Sequence, residues 1–175
     1  MLTKKISQYL IVLLLGITAF SSGVALAQTD ESKVKALWVH TLISYIKWND
    51  NNDNSNTTIC TRGIDRTYQF LKEIQNEKKT KYKLIETGTH SDLIQCNLLY
   101  IATSERNNIS SILDNIENKN IVTVSDIKGF AQDGGVIELV HNQDAVKLKI
   151  NVKSAKKANV VINSDLLAVS TVINK

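Results

Sequence analysis

The sequence predicts an α/β fold: a mostly parallel sheet flanked by helices, with a C-terminal antiparallel hairpin added to the sheet. Three observations carry that expectation. Short apolar runs alternate with amphipathic stretches in the order strand, helix, strand, then strand, helix, strand, the pattern of crossover-connected parallel strands. The run Ile121 to Val124 is short and β-branched, as a strand buried on both faces is. Near the end, two alternating segments flank the polar turn His141-Asn142-Gln143-Asp144, which reads as a hairpin.

Each element follows from local pattern. Between Glu31 and about Trp48, Val34, Leu37, Trp38, Leu42, Tyr45 and Ile46 recur at three- and four-residue intervals, predicting a first helix. Val39 and Ile43 widen its apolar surface beyond one stripe, so the helix is either deeply packed or partly used against another protein. Trp38, Leu42, Tyr45 and Trp48 are its candidate partner or dimer surface, because aromatic side chains are frequent interface anchors. A surface loop rich in Asn, Asp and Ser follows from Asn49 to Thr58. Thr57 to Thr61 is the first strand, and Asp65 to Asn76 a helix with Tyr68, Leu71 and Ile74 on one face. Tyr82 to Ile85 and Leu98 to Ala102 are the second and third strands. Asn108 to Ile116 is a helix with Ile109, Ile112, Leu113 and Ile116 inward, and Ile121 to Val124 is the fourth strand. Val136 to Val140 and Val146 to Val152 form the hairpin, with Leu148, Ile150 and Val152 alternating with Lys147, Lys149 and Asn151. Ser154 to Ala158 and Asp165 to Val169 are short helical pieces.

The N-terminal residues point to export. Lys4 and Lys5 precede an apolar run from Leu10 to Phe20, and a small-residue stretch ends in Ala25-x-Ala27, the three-part order of a secretory signal. The run is too short for a membrane span, which needs roughly 20 apolar residues. Residues 1–27 are therefore expected to be a cleaved signal peptide and residues 28–175 a single soluble periplasmic domain. Cleavage after Ala27 leaves 148 of the 175 residues and lowers the formal charge from +4 to +2. The densest basic patch, Lys78, Lys79, Lys81 and Lys83, reads as a solvated helix end and strand edge, so no nucleic acid is expected as a partner. Cys60 and Cys96, two cysteines in an oxidising compartment, are expected to pair. With strand order 2-1-3, as in a doubly wound sheet, their strands are neighbours.

Five glycines lie beyond residue 27, and three of them, Gly129, Gly134 and Gly135, fall within seven residues. The segment from Ser125 and Asp126 through Gly129 and Phe130 to Gly135 follows a strand, where ligand-contacting loops of α/β sheets sit. It also leads into a strand, which favours a structural turn with positive φ at its glycines over a phosphate cradle that would open a helix. Asp126 is expected to cap backbone amides at the strand end. No catalytic motif appears: there is no G-x-S-x-G elbow, P-loop or G-x-G-x-x-G, and His40, His90 and His141 are not at metal-ligand spacing. Neither catalysis, a metal nor a cofactor is expected, and a binding or regulatory module is.

The residues beyond the signal also carry a resemblance. The chain resembles the YfiR family of periplasmic proteins over nearly all of its mature length. The strongest part is Val122-Thr123-Val124-Ser125-Asp126, Gly129-Phe130-Ala131 and Gly134-Gly135-Val136-Ile137. It continues through Lys149-Ile150-Asn151 and Ala155-Lys156-Lys157-Ala158 to Ser164-Asp165-Leu166-Leu167. The resemblance implies an inhibitor that binds the periplasmic sensor region of a membrane diguanylate cyclase, lowering cyclic-di-GMP signalling and biofilm formation. It further implies an outer-membrane lipoprotein that sequesters the inhibitor. Two departures stand out: Trp48-Asn49 replaces the family's usual Trp-Pro, and only one cysteine pair is present. The alternative function is a periplasmic small-ligand sensor with a pocket near the glycine-rich turn, and a homodimer through the first helix is a further reading of its apolar surface.

Overall fold

The computed structural model describes residues 23–48, 57–80, 82–88, 90–142 and 145–175. The chain divides into two compact units, residues 1–31 and 32–175. The expected signal segment up to residue 22, the Asn-rich loop over 49–56 and the hairpin tip at 143–144 lie outside the described residues. Among the described residues no helix is long and apolar enough to cross a membrane.

The second unit is built on a seven-stranded sheet with a helical layer on each face. In chain order the elements are α1 (Gly23–Leu42, its final part in this unit), β1 (Ile46–Trp48), β2 (Thr58–Arg62), α2 (Thr67–Lys78), β3 (Lys83–Thr87) and β4 (Leu98–Ile101). There follow α3 (Ile109–Asn115), β5 (Val122–Ser125), β6 (Ile137–Asn142), β7 (Ala145–Asn151), α4 (Val152–Lys157), β8 (Val160–Ile162), α5 (Ser164–Ala168) and β9 (Thr171–Ile173). The sheet order is β3-β2-β4-β5-β6-β7-β9, and β1 pairs with β8 in a separate antiparallel ribbon. From β3 to β6 all neighbours are parallel; β6 and β7 are the antiparallel hairpin, with Leu139 opposite Leu148. The expected order of the first three sheet strands, 2-1-3, is the one observed.

Alternation along the strands divides the interior into two cores. Ile59, Leu98, Tyr100, Val122, Val124, Leu139 and Ile150 point to the side that carries α1, α2 and α4. Cys60, Leu99 and Ile101 point to the other, where Leu93, Ile112 and Phe130 cover them. Each such side chain, fully buried, contributes roughly 1.5–3 kcal/mol. α1 buries Ala36, Val39 and Leu42, a spacing that holds one helical stripe against the sheet, and Ile43 just after it is buried too. α2 is entered through Asp65, whose carboxylate accepts from the Thr67 amide at 2.8 Å, and leaves through Lys79 in the left-handed region, φ 48°.

Two expectations for the first helix are corrected. It does not run to Trp48: after Leu42 the chain makes a 3-10 turn over Ile43–Tyr45 and enters β1. The reason is tertiary pairing, with Ile46 opposite Ile162 and Trp48 opposite Val160, and the Asn163 amide donating to the Tyr45 carbonyl at 2.8 Å. In consequence Leu42 and Trp48 lie in the core, Leu42 fully buried and Trp48 8 % exposed, while Trp38 and Tyr45 are half-buried against it. Among the described residues, the large apolar side chains of this helix that do face solvent are Val34, 37 % exposed, and Leu37, 39 % exposed.

Candidate functional site

In a sheet of this order the chain leaves β2 toward one edge and returns beyond it, so the carboxyl ends of β2 and β4 flank the switch point where α/β proteins place their ligands. Here those strand ends are joined by polar side chains. β2 ends in Arg62 and Gly63. The Arg62 guanidinium pairs with the Glu105 carboxylate at 3.3 Å, and the Asn108 amide donates to the same oxygen at 3.1 Å. Gly63 has φ 95°, and a Cβ there would meet the Ser104 hydroxyl oxygen at 2.6 Å; that oxygen accepts from the Ile64 amide at 2.7 Å. Glycine is required because both the left-handed backbone and the close approach exclude a side chain.

Tyr100, fully buried on β4, donates its hydroxyl to Asp65 at 2.7 Å. Burial, with the charges of Asp126 and Asp65, pushes the phenol far above its usual range, so it stays a neutral donor. Asp126, at the end of β5, accepts from Thr103 at 2.9 Å and pairs with Lys35 of α1 at 2.6 Å, both side chains under 10 % exposed. The backbone-capping role expected of Asp126 falls instead to Ser125, whose hydroxyl oxygen accepts from the Ile127 amide at 3.1 Å while donating to the Ile101 carbonyl at 2.7 Å. Lys35 was not legible as a site residue: in sequence it is one of several polar positions on the first helix.

The glycine-rich turn is held from below. The buried Glu138 carboxylate accepts from the amides of Gly129 and Ala131, each at 3.1 Å, and pairs with Lys149 at 3.4 Å. Asn151, fully buried, donates to the Ala131 carbonyl at 2.8 Å while its oxygen caps α4 by accepting from Lys153 and Ser154, each at 3.1 Å. Gly129 and Gly134 have φ 90° and 105°. Gly135 is needed for a different reason: a Cβ there would overlap the ring of Phe130, which is fully buried in the second core. These contacts account for the three glycines without any ligand. The roles of Glu138 and Asn151 were not legible in the sequence because their partners include backbone groups of a turn that only the fold brings near.

Cys60 and Cys96 are disulfide-bonded, with Cα atoms 5.7 Å apart, and both are buried. The bridge joins β2 to the segment entering β4, next to the pairing of Ile59 with Leu98. A cleft of about 300 Å³ opens beside the glycine-rich turn, lined among others by Thr123, Asp133, Gly134, Lys153 and Lys157. On α1, His40 stacks obliquely on Tyr82, ring centroids 5.8 Å apart, and burial followed by the charge of Lys78 lowers its pKa.

The profile of the YfiR/HmsC-like family matches residues 32–171. No curated protein matches the chain. Among solved structures, the chain is similar to the ABC domain in complex with L-Trp from Streptococcus pneumonia, with TM-score 0.56 and 10 % identity over 81 % of this chain and 60 % of that one. It is also similar to a conserved domain protein from Vibrio cholerae O1 biovar eltor, with TM-score 0.57 and 9 % identity over 81 % of this chain and 59 % of that one. The chain thus spans about three-fifths of each of these structures, and the likeness is one of fold.

Proposed function

Because this chain belongs to the YfiR/HmsC-like family, we propose that it is a periplasmic regulator that binds the periplasmic sensor region of a membrane diguanylate cyclase and inhibits it. The observation that carries the proposal is the family match, which takes in the sheet from β2 to β7 and both helical layers. Two structural features support a protein partner. The charged groups at the switch point bond to one another, as a closed strand-end network does, and α1 offers Val34 and Leu37 to solvent beside the half-buried Trp38.

Inhibition of this kind is a population shift. The inhibitor must bind the inactive receptor more tightly than the active one, since equal affinity shifts nothing; moving the receptor from mostly active to mostly inactive takes about 5.5 kcal/mol of differential binding. An outer-membrane lipoprotein that competes for the inhibitor would relieve inhibition by lowering its free concentration. Deleting the coding sequence is expected to raise cellular cyclic-di-GMP and biofilm mass, and the purified protein is expected to retain a membrane cyclase in pull-down. Unchanged cyclic-di-GMP in the deletion strain contradicts the reading.

The cleft beside the glycine-rich turn favours one second reading, a small-ligand sensor. Its volume lies at the lower end of ligand pockets, and charged side chains line it where such pockets are mostly apolar. A ligand-dependent rise in melting temperature without any protein partner would support this reading over the first.

A further inference from the structure

Charge is distributed unevenly along the chain. Beyond the expected signal, residues 28–144 carry sixteen acidic and thirteen basic side chains, whereas residues 145–175 carry six lysines and a single acid, Asp165. Three of those lysines, Lys153, Lys156 and Lys157, stand at i, i+3 and i+4 on α4, so they share its outward face while Ser154, Ala155 and Ala158 are buried. Apolar side chains are exposed in the same stretch: Val161 is 52 % exposed and Val169 74 %. A groove of about 480 Å³ brings the two kinds of side chain together. Val152, Val161 and Leu167 form its apolar part, Lys156 and Asn159 its polar part, and no acidic residue lines it among the described residues. In the ribbon of β1 and β8, Lys47 lies directly opposite Val161, so its exposed side chain leaves on the same face and adds a second cation to the rim.

We propose that this groove is a membrane-docking surface whose occupant is the headgroup region of a bilayer rich in anionic phospholipid. The chemistry of the patch selects that partner. Ammonium groups around an apolar floor match phosphates lying above acyl chains, and a surface of this kind settles at the boundary between the two, its valines in the apolar layer and its lysine heads at the phosphates. Charge complementarity favours an anionic lipid over a neutral one, since each lysine held near an anionic surface strengthens binding about fivefold. A few aliphatic side chains reach only the boundary, so docking is reversible, with an association constant on the order of 10⁴ M⁻¹, that of a single acyl chain. The inference invokes lipid alone and is independent of the cyclase reading.

The test is co-sedimentation of the full exported protein with vesicles of phosphatidylglycerol and phosphatidylethanolamine, up to about 1 mM lipid, beside vesicles of phosphatidylcholine and phosphatidylethanolamine. The parent is expected to bind the anionic vesicles at least about tenfold more tightly, and to be released as salt rises from about 0.05 to 0.5 M and screens the lysines. V161D places a carboxylate in the apolar floor and is expected to bind at least about tenfold more weakly. K156E and K47E are each expected to lose at least about fivefold. K83E, on β3 at the opposite edge of the sheet, makes the same change in net charge and is expected to stay within about twofold of the parent. Val161 is half-exposed, so V161D should melt with the parent; should it melt lower, K156E, altered at an exposed position, carries the same readout. A parent that binds neither vesicle, or both equally, overturns the proposal. So do groove variants that bind as the parent does, or a K83E that weakens binding as much as K156E. Retention only by vesicles that also carry a membrane protein, lost in V161D, assigns the groove to an acidic protein segment and overturns it as well.

Discussion

Glu138 and Gly135 show how the signature turn is specified one residue at a time. Glu138 holds two amide donors of the turn with a single carboxylate, so E138Q, which offers one acceptor oxygen and an NH₂ that cannot accept, leaves a buried amide unpaired. A loss of about 1–3 kcal/mol is expected, read as a lower midpoint in urea. Gly134 and Gly135 separate two costs that sequence alone merges. At Gly134 the nearest atom to an added Cβ is 3.8 Å away, so G134A suffers only backbone strain, about 1–2 kcal/mol. At Gly135 the added methyl would strike the Phe130 ring, so G135A is expected to be the more damaging of the two by thermal melting. His40 gives a pH signature. Its folded pKa lies below the ordinary 6.5, so its neutral form is the one the fold favours. The contribution is fully present above pH 6.5 and is lost as pH falls from there toward the folded value. Comparing the parent with H40N between pH 7.5 and 5, the variant should lose less stability on acidification.

Elements were legible in proportion to their length. α2, α3 and the hairpin strands each span enough residues for a period to show, and the expected positions fall within a few residues of the observed ones. β1, β8 and β9 have three residues each, too few to establish any alternation, and β8 and β9 were missed altogether. β1 was mistaken for helix because Ile46 continues the helical spacing, while the buried, exposed, buried pattern of Ile46, Lys47 and Trp48 fits a strand equally well. Only pairing with β8 decides between them. The distinction has a consequence for mutagenesis. L42A removes a fully buried side chain and is expected to cost about 2–5 kcal/mol, lowering any partner binding only through folding. L37D, at a solvent-facing position on the same helix, should leave the melting temperature within a degree or two of the parent. The strand order 2-1-3 comes from the doubly wound pattern that alternating strands and helices suggest, and it is what brings Cys60 within bonding distance of Cys96. C60S/C96S is expected to lose about 3–4 kcal/mol, the entropy of the loop the bridge closes.

For the whole molecule, the switch point is the feature the sequence could not display. Its charged residues come from α1, from the ends of β2 and β5, from Asp65 ahead of α2 and from the turn after β4, with Lys35 and Asp126 separated by about half of the chain. D126A removes the carboxylate 2.6 Å from the Lys35 ammonium, in a site less than a tenth exposed, and a loss of about 1.5–3 kcal/mol is expected. A site closed by its own side chains leaves the helix face around Val34 and Leu37 as the surface through which this account expects the protein to act on its receptor. The direct measurement is the rate of cyclic-di-GMP synthesis by membrane vesicles carrying the cognate cyclase, titrated with the parent protein and with L37D, each first shown to be folded by its melting curve. The parent is expected to suppress synthesis to a plateau and L37D to require at least about tenfold more protein for the same suppression, the loss of roughly 1.4 kcal/mol of contact. A parent protein that leaves synthesis unchanged at any concentration contradicts the account, and a fully potent L37D contradicts its assignment of the surface.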